Sequence, residues 1–495
     1  MRYRLNGTIL IPQREKENSL PISKIQTIPQ PSLNPNFPYN PDLQLLLAGK
    51  QLLLDDLLFP HEEIQKHYEN GYVTYRKGIE YSRNRPACSR CGNKEENWFA
   101  HFPCSRCGEI CHYCRKCLMM GRISACTPLL GWNGPTPKHP LPNKILEWKG
   151  KLSEGQQAAS NQVVEAVITN KELLVWAVCG AGKTEVLFEG IESALASKKR
   201  VCITTPRTDV VLELTPRLKA AFPGITVASL YGGSEDRHLY APITIATTHQ
   251  LLRFYHAFDT VILDEVDAFP YTVEESLQYA AVQARKPVSA MIYLTATPNE
   301  KWQRECRTGK RAFTTIPARF HRHPLPVPHF TWCGNWQKQL KKDKLPTNIL
   351  HWIKERLEHN KQALLFFPHI ALMEKALPIL RKLASDIEAV HAEDPDRKEK
   401  VQKMRNKEIP LLLTTTILER GVTFPNIDVA VIGAEDNIFA ESALVQIAGR
   451  AGRSKEYPEG VVTFFHYGKT EEMIKARKQI TAMNQEGYRK GLLDS

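Results

Sequence analysis

From residue 151 onward the chain alternates short, wholly apolar runs with amphipathic, charged stretches, and it does so twice. The first set of runs is LLVWAV (173–178), VCITT (201–205), ITIAT (243–247), TVILD (260–264) and AMIYLT (290–295). The second is ALLFFP (363–368), PLLLTTT (410–416), VAVIG (429–433) and VVTFFHY (461–467). A strand with one wet face alternates apolar and polar residues, whereas an unbroken apolar run of this length fits a strand covered on both faces of a parallel sheet. Stretches such as TDVVLELTPRLKAAF (208–222) supply the crossover helices that a parallel sheet requires. The pattern predicts an α/β chain with two tandem lobes built on parallel sheets. The lobes are read as 151–318 and 346–480, with the basic, proline-rich 319–345 as the linker between them. The end of the chain reads as a basic helix running into a tail at 481–495.

Ahead of the lobes the texture differs. Residues 1–85 read as an N-terminal extension. Its first 41 residues hold seven prolines and are expected to be extended or disordered, whereas LQLLLAGKQLLLDDLL, within 42–70, is leucine-rich and reads as helix. Residues 86–126 hold eight of the twelve cysteines. In a reducing compartment such a cluster points to metal, not to disulfides. Residues 127–150, with GWNGPTPKHPLPNK, read as a connector. No run of 18 apolar residues is present, and MRYRLNGTILIPQREK has too short an apolar run for a secretory signal, so the chain is expected in the cytosol. A net charge of +13 favours a polyanionic partner, because lysines and arginines release phosphate counterions.

The chemistry-bearing residues sit at the ends of the apolar runs. AVCGAGKT (177–184) closes the first run. A strand, a small-residue loop ending in Gly-Lys-Thr and a following helix make a phosphate cradle. Cys179, Gly180, Ala181 and Gly182 offer backbone N–H groups, Lys183 reaches the β- and γ-phosphates, and Thr184 suits Mg²⁺. The first position is Ala177 where the strict pattern has glycine. In TVILDEVD (260–267), Asp264 is the expected Mg²⁺ partner and Glu265 the group that polarises water. Gln156 in LSEGQQ (152–157) is placed to read an adenine edge. Pro206 and Arg207 in TPRTDVV, and Thr247 and Thr248 in TTHQLL, follow strands and suit sugar-phosphate contacts. LTATP (294–298) offers hydroxyls that couple the lobes. In QIAGRAGR (446–453), Arg450 and Arg453 are three apart, read as one helix face, and are candidates to reach a γ-phosphate.

AVCGAGKT, DEVD, TAT and QIAGRAGR, in this order, resemble superfamily-2 helicases and translocases. CRKCLMMGRIS, WAVCGAGKTE, TPRTDVVLEL, DEVDAFPY, WCGNW, TTTILERGVT and ESALVQIAGRAGR together resemble the ComFA family, late-competence DNA-uptake ATPases of Gram-positive bacteria, over roughly residues 85–480. The resemblance implies two RecA-like lobes with ATP between them and a zinc module ahead of them. It implies ATP hydrolysis stimulated by single-stranded DNA and inward transport of one strand through a membrane channel. It further implies a ComFC-type partner similar to phosphoribosyltransferases, a place at the inner face of the membrane through protein contacts, and room for a homo-oligomer. Within it Gln446 contacts γ-phosphate, Arg450 and Arg453 act as fingers, Gly421 and Thr423 join the nucleotide site, and Thr414 and Thr415 join the DNA track.

The cysteine spacing is CSRCG at 88–92, CSRCG at 104–108, Cys111, Cys114, Cys117 and Cys126. Paired CxxC units suit tetrahedral zinc. The family pattern anchors Cys88 with Cys91 and Cys114 with Cys117. Cys104, Cys107 and Cys111 are then either extra thiols or, with Cys126, a second zinc site. A primosome-type replication-restart helicase is the rival enzyme, disfavoured because its cysteines come inside or after the first lobe. A non-catalytic zinc adaptor is the other rival, opposed by the intact Lys183, Glu265, Arg450 and Arg453.

Overall fold

All nine apolar runs form strands. They are Glu172–Ala177, Val201–Thr205, Ile243–Thr247, Phe258–Leu263, Arg285–Thr295, Gln362–Phe366, Leu411–Thr414, Ile427–Ile432 and Val462–His466. The structure is a computed structural model that describes residues 2–13 and 17–494. The chain divides into two units. One comprises Met1–Gly150, Asn161–Leu173 and Leu187–Tyr293, the other Lys151–Ser160, Leu174–Val186 and Leu294–Ser495.

In the first unit, parallel strands lie in the order Val227–Leu230, Ile243–Thr247, Val201–Thr205, Phe258–Leu263 and Arg285–Thr295. Their side chains are buried on both faces, as the unbroken apolar runs require. The N-terminal part folds on its own core, in which Tyr3, Leu10, Leu43, Leu47, Ile64, Tyr68, Val73, Tyr75 and Leu130 meet. Within the stretch expected to be extended or disordered, Arg2–Asn6 and Ile9–Gln13 pair as an antiparallel hairpin. The leucine-rich stretch is interrupted, not one helix. Pro41–Leu47 is capped by the Asn40 side chain and stops before Gly49, and the next helix is His61–Glu69. The connector carries a strand, Pro128–Trp132, that pairs antiparallel with Val73–Lys77 and Leu52–Leu53. This part is joined to the parallel-sheet part by backbone bonds: Gln51 N–H donates to the Arg253 carbonyl at 2.7 Å and Tyr255 N–H to the Gly49 carbonyl at 3.0 Å.

In the second unit, Glu172–Ala177 runs parallel to Phe313–Ile316. A six-stranded parallel sheet follows the order His329–Trp332, Val462–His466, Ile427–Ile432, Gln362–Phe366, Leu411–Thr414, Glu388–Val390. The stretch read as a linker, 319–345, therefore supplies a strand of this sheet. It also supplies Trp336, which is 1% exposed and donates to Glu435 at 3.0 Å. The final helix is Glu471–Arg489.

A candidate nucleotide site and a two-centre cysteine module

The strand Glu172–Ala177 delivers the loop Cys179–Thr184. Gly180 and Gly182 have φ of +81° and +70°, conformations that a side chain would strain. A Cβ at Gly182 would lie 2.4 Å from the Gln156 amide nitrogen, so only glycine lets the loop pass that side chain. Gln156 is buried and donates to the Ala181 carbonyl at 2.8 Å, while its own oxygen accepts from Ser153 N–H at 2.8 Å. Gln156 thus fastens the cradle itself. Lys183 and Thr184 are half-buried.

The QIAGRAGR segment meets this loop within the same unit. Cys179 Sγ donates to the Gln446 side-chain oxygen at 3.0 Å. Gly449 has no room for a Cβ, which would fall 2.5 Å from Cys179 Cβ. Sequence reasoning missed the residue that ties the two together, Arg319. It is 2% exposed, and its guanidinium donates to the carbonyls of Cys179 (3.1 Å), Ala451 (2.9 Å), Gly449 (3.1 Å) and Gly452. Burial, and then Arg453, pushes its pKa down to about 9, so it remains charged at neutral pH. The signal available was one arginine shortly after the strand Phe313–Ile316, in a stretch already full of basic residues.

Arg450 and Arg453 do not share a helix face. The helix Glu441–Ala448 ends ahead of them, and the chain turns through Gly452 at φ +64°. Arg450 is buried and donates to the carbonyls of Glu419 (2.9 Å) and Val422, on either side of Gly421, while Arg453 donates to the Gly449 carbonyl at 2.9 Å. Thr423 on the same loop is exposed. The Ala296 carbonyl of the TAT segment accepts from Trp176, on the loop-bearing strand, at 3.0 Å, and from Gln479, on the last helix, at 2.5 Å.

In the first unit, Asp264 and Glu265 follow the carboxyl end of Phe258–Leu263. Asp264 N–H donates to the Thr204 carbonyl at 2.8 Å, and the Asp264 carboxylate accepts from Glu265 N–H at 2.9 Å. Glu265 has φ +56°, a strained conformation for a non-glycine residue and one that clusters at functional positions. Pro206 and Arg207 are half-exposed, and Arg207 pairs with Asp209 at 2.8 Å. Thr247, Thr248 and Thr414 are buried, and Thr415 is half-exposed.

The eight clustered cysteines sort into two tetrads. Cys88, Cys91, Cys114 and Cys117 form one, and Cys104, Cys107, Cys111 and Cys126 the other, with each set of Sγ atoms within 4.8 Å of one another. Tetrahedral zinc with Zn–S bonds of about 2.3 Å requires S···S spacings of about 3.8 Å. The observed Cys88–Cys117, Cys91–Cys114 and Cys104–Cys126 spacings are 3.6, 3.6 and 3.7 Å. Both donor sets fit. The strand Glu109–Cys114 serves both tetrads, because Cys111 and Cys114 are an odd number of residues apart and so leave opposite faces. Four thiolates around a divalent ion leave net negative charge, and each tetrad has a buried arginine beside it. Arg90 donates to the carbonyls of Cys117 (2.9 Å) and Met120 (2.8 Å), and Arg2 donates to the Cys107 carbonyl (2.8 Å). Gly92, just past Cys91, packs on the ring of Tyr279, where a Cβ would come within 2.6 Å.

Two parallel-sheet α/β lobes, a phosphate loop fastened to a glycine-arginine turn, and an Asp-Glu pair at a strand end define a helicase-type ATP hydrolase. Family models match as "DEAD/DEAH box helicase" over residues 155–305, "Helicase conserved C-terminal domain" over 341–455 and "Competence protein ComFA N-terminal domain" over 32–131. Competence protein ComFA of Bacillus subtilis (strain 168) is 49% identical over 91% of this chain and 96% of its own length. Competence protein ComFA of Streptococcus pneumoniae is 37% identical over 81% and 90%. The chain belongs to the ComFA family, and it is a competence helicase-like ATPase. Replication restart protein PriA of Rickettsia prowazekii is a distant relative, 26% identical over 44% of this chain and 35% of its own length. Among the described residues, no helix is long and apolar enough to cross a membrane.

Proposed function

We propose that the chain is a translocase that draws single-stranded DNA inward during competence, using ATP held by the Cys179–Thr184 loop. The observation that carries this reading is the convergence of Gln156, Gln446, Gly449 and Arg319 on that loop within one unit. Lys183 binds the β- and γ-phosphates. Gln446 leaves the Cys179 thiol, and Arg450 and Arg453 leave the backbone carbonyls they hold, to engage the γ-phosphate. Glu265 orients the attacking water. Thr184 and Asp264 would hold Mg²⁺, which supplies charge neutralisation on the phosphate oxygens. Pro206, Arg207, Thr247, Thr248, Thr414 and Thr415 line the strand's path, through backbone amides where the side chains are buried. Cys88, Cys91, Cys114 and Cys117, and Cys104, Cys107, Cys111 and Cys126, would each hold a zinc ion, which would cross-link the N-terminal part. A ComFC-type partner and the membrane channel bind through protein contacts.

A primosome-type helicase reading is less well supported, since the cysteine module lies wholly ahead of the phosphate loop. The test is ATP turnover measured against single-stranded DNA, duplex DNA and RNA. Stimulation strongest with single-stranded DNA is expected, and equal response to all three contradicts the reading.

A further inference from the structure

The strands of the first unit are parallel, so their two ends form opposite rims. Pro206, Arg207, Thr247, Thr248 and Asp264 sit at or just past carboxyl ends. Arg200, Ala257 and Lys286 stand at amino ends. At this second rim lies a cavity of about 440 Å³, closed on its other side by the N-terminal part through Gly49, Lys50, Arg76 and Trp132. No motif of the ATPase borders it.

Its charge is one-sided. Lys50, Arg76, Arg200 and Lys286 line it, and among the described residues no aspartate or glutamate does. Lys286 is engaged by Asp259 at 2.8 Å. The side chains of the other three hydrogen-bond only to neutral groups, although the Arg200 backbone N–H donates to the Asp259 carboxylate at 2.9 Å. Lys50 Nζ reaches the Arg237 and His238 carbonyls at 3.3 Å. Arg76 donates to the Gln51 side chain at 3.1 Å and lies over the Tyr255 ring. Arg200 donates to the Ala241 carbonyl at 3.2 Å and lies over the Tyr240 ring. Lys50 and Arg200 are 2% and 5% exposed. Asp259 and Glu80 attract Arg200 and Arg76 from nearby, but among the described residues no carboxylate pairs directly with any of the three side chains. Burying cations without such a direct partner is costly, and an anion in the cavity lowers that cost. Burial, followed by repulsion from Arg200 and Arg253, pushes Lys50 down to about 7. Gly49 makes this approach feasible: it has φ +71°, and a Cβ there would lie 2.8 Å from Ala257 and 2.9 Å from the Arg200 guanidinium.

We propose that this cavity, on the rim away from the helicase motifs, binds a phosphate group through Lys50, Arg76 and Arg200. That phosphate belongs either to a free nucleotide or to a nucleic-acid backbone; the two share the recognising chemistry. Binding is measured calorimetrically on full-length Lys183→Ala protein, so that the phosphate loop contributes little, with inorganic pyrophosphate in one arm and an oligothymidylate in the other. Adding Arg76→Gln or Lys50→Gln is expected to weaken at least one probe by about tenfold or more, the value of one charge-assisted hydrogen bond. A response to pyrophosphate identifies a free phosphate compound, and a response to the oligonucleotide alone identifies a strand. Unchanged affinity for both probes overturns the proposal. Should either added variant fail to fold, acylation of Lys50 in the otherwise unaltered protein replaces it. Slowing by either probe supports the site, and slowing by neither overturns it.

Discussion

Arg319 Nε donates to the carbonyl of Cys179 at 3.1 Å, which fixes a buried guanidinium on the backbone of the phosphate loop. The same side chain grips the turn Gly449–Gly452, so the loop and that turn share one charged clasp.

Arg319→Lys keeps the charge but loses the planar fork that satisfies four carbonyls at once. ATP turnover is expected to fall at least about tenfold, and Arg319→Ala further, since carbonyls are left unpaired in the interior. Steady-state ATPase together with a thermal melt checks this. Lysine substitution with unchanged turnover contradicts the clasp.

Gly449 admits no side chain because a methyl there meets Cys179 Cβ at 2.5 Å and Sγ at 2.9 Å. Gly449→Ala is expected to displace the loop, reducing ATP affinity and lowering stability by about 1–3 kcal/mol, the usual cost of overpacking. Denaturant unfolding and nucleotide titration read the two effects separately.

The cysteine module is expected to hold two zinc ions per chain. Cys104→Ser and Cys88→Ser each remove one ion directly, and the shared strand Glu109–Cys114 makes the second easier to strip with a chelator. Zinc is lost as pH falls, because thiolates must be deprotonated to bind. Atomic absorption giving one zinc per unaltered chain contradicts the second centre.

Lys50 gives a pH-dependent signature. Its folded value, about 7, lies below its unfolded value of 10.5. The cost of burying its charge is therefore full below pH 7 and is relieved as pH rises from there toward 10.5. Lys50→Met is expected to raise the melting temperature, with the larger gain at pH 6 and a smaller one at pH 9. A gain independent of pH contradicts a charged, buried Lys50.

The central strands were legible because burial on both faces forces unbroken apolar runs, as in VCITT and ITIAT. Within the parallel sheets, the strands that escaped reading are Val227–Leu230, Phe313–Ile316, His329–Trp332 and Glu388–Val390, each paired on one side only in its unit. Such strands are short and carry mixed residues, as in HFTW, so periodicity does not mark them. The phosphate loop and the cysteine pairs were legible because their chemistry dictates residue type and spacing. The division of the eight thiols into Cys88, Cys91, Cys114, Cys117 and Cys104, Cys107, Cys111, Cys126 was legible only as one of two alternatives, because what gathers the second set depends on which face of one strand each thiol leaves. Arg319 was invisible for a similar reason: its partners are backbone carbonyls, which leave no trace in residue identity.

The most direct test of an ATP-driven DNA motor is the rate of phosphate release with and without single-stranded DNA in the unaltered chain, Lys183→Ala and Glu265→Gln. Release that rises with DNA in the unaltered chain and vanishes in both variants, with zinc content unchanged, is the predicted result. Release that ignores DNA, or persists in either variant, contradicts it.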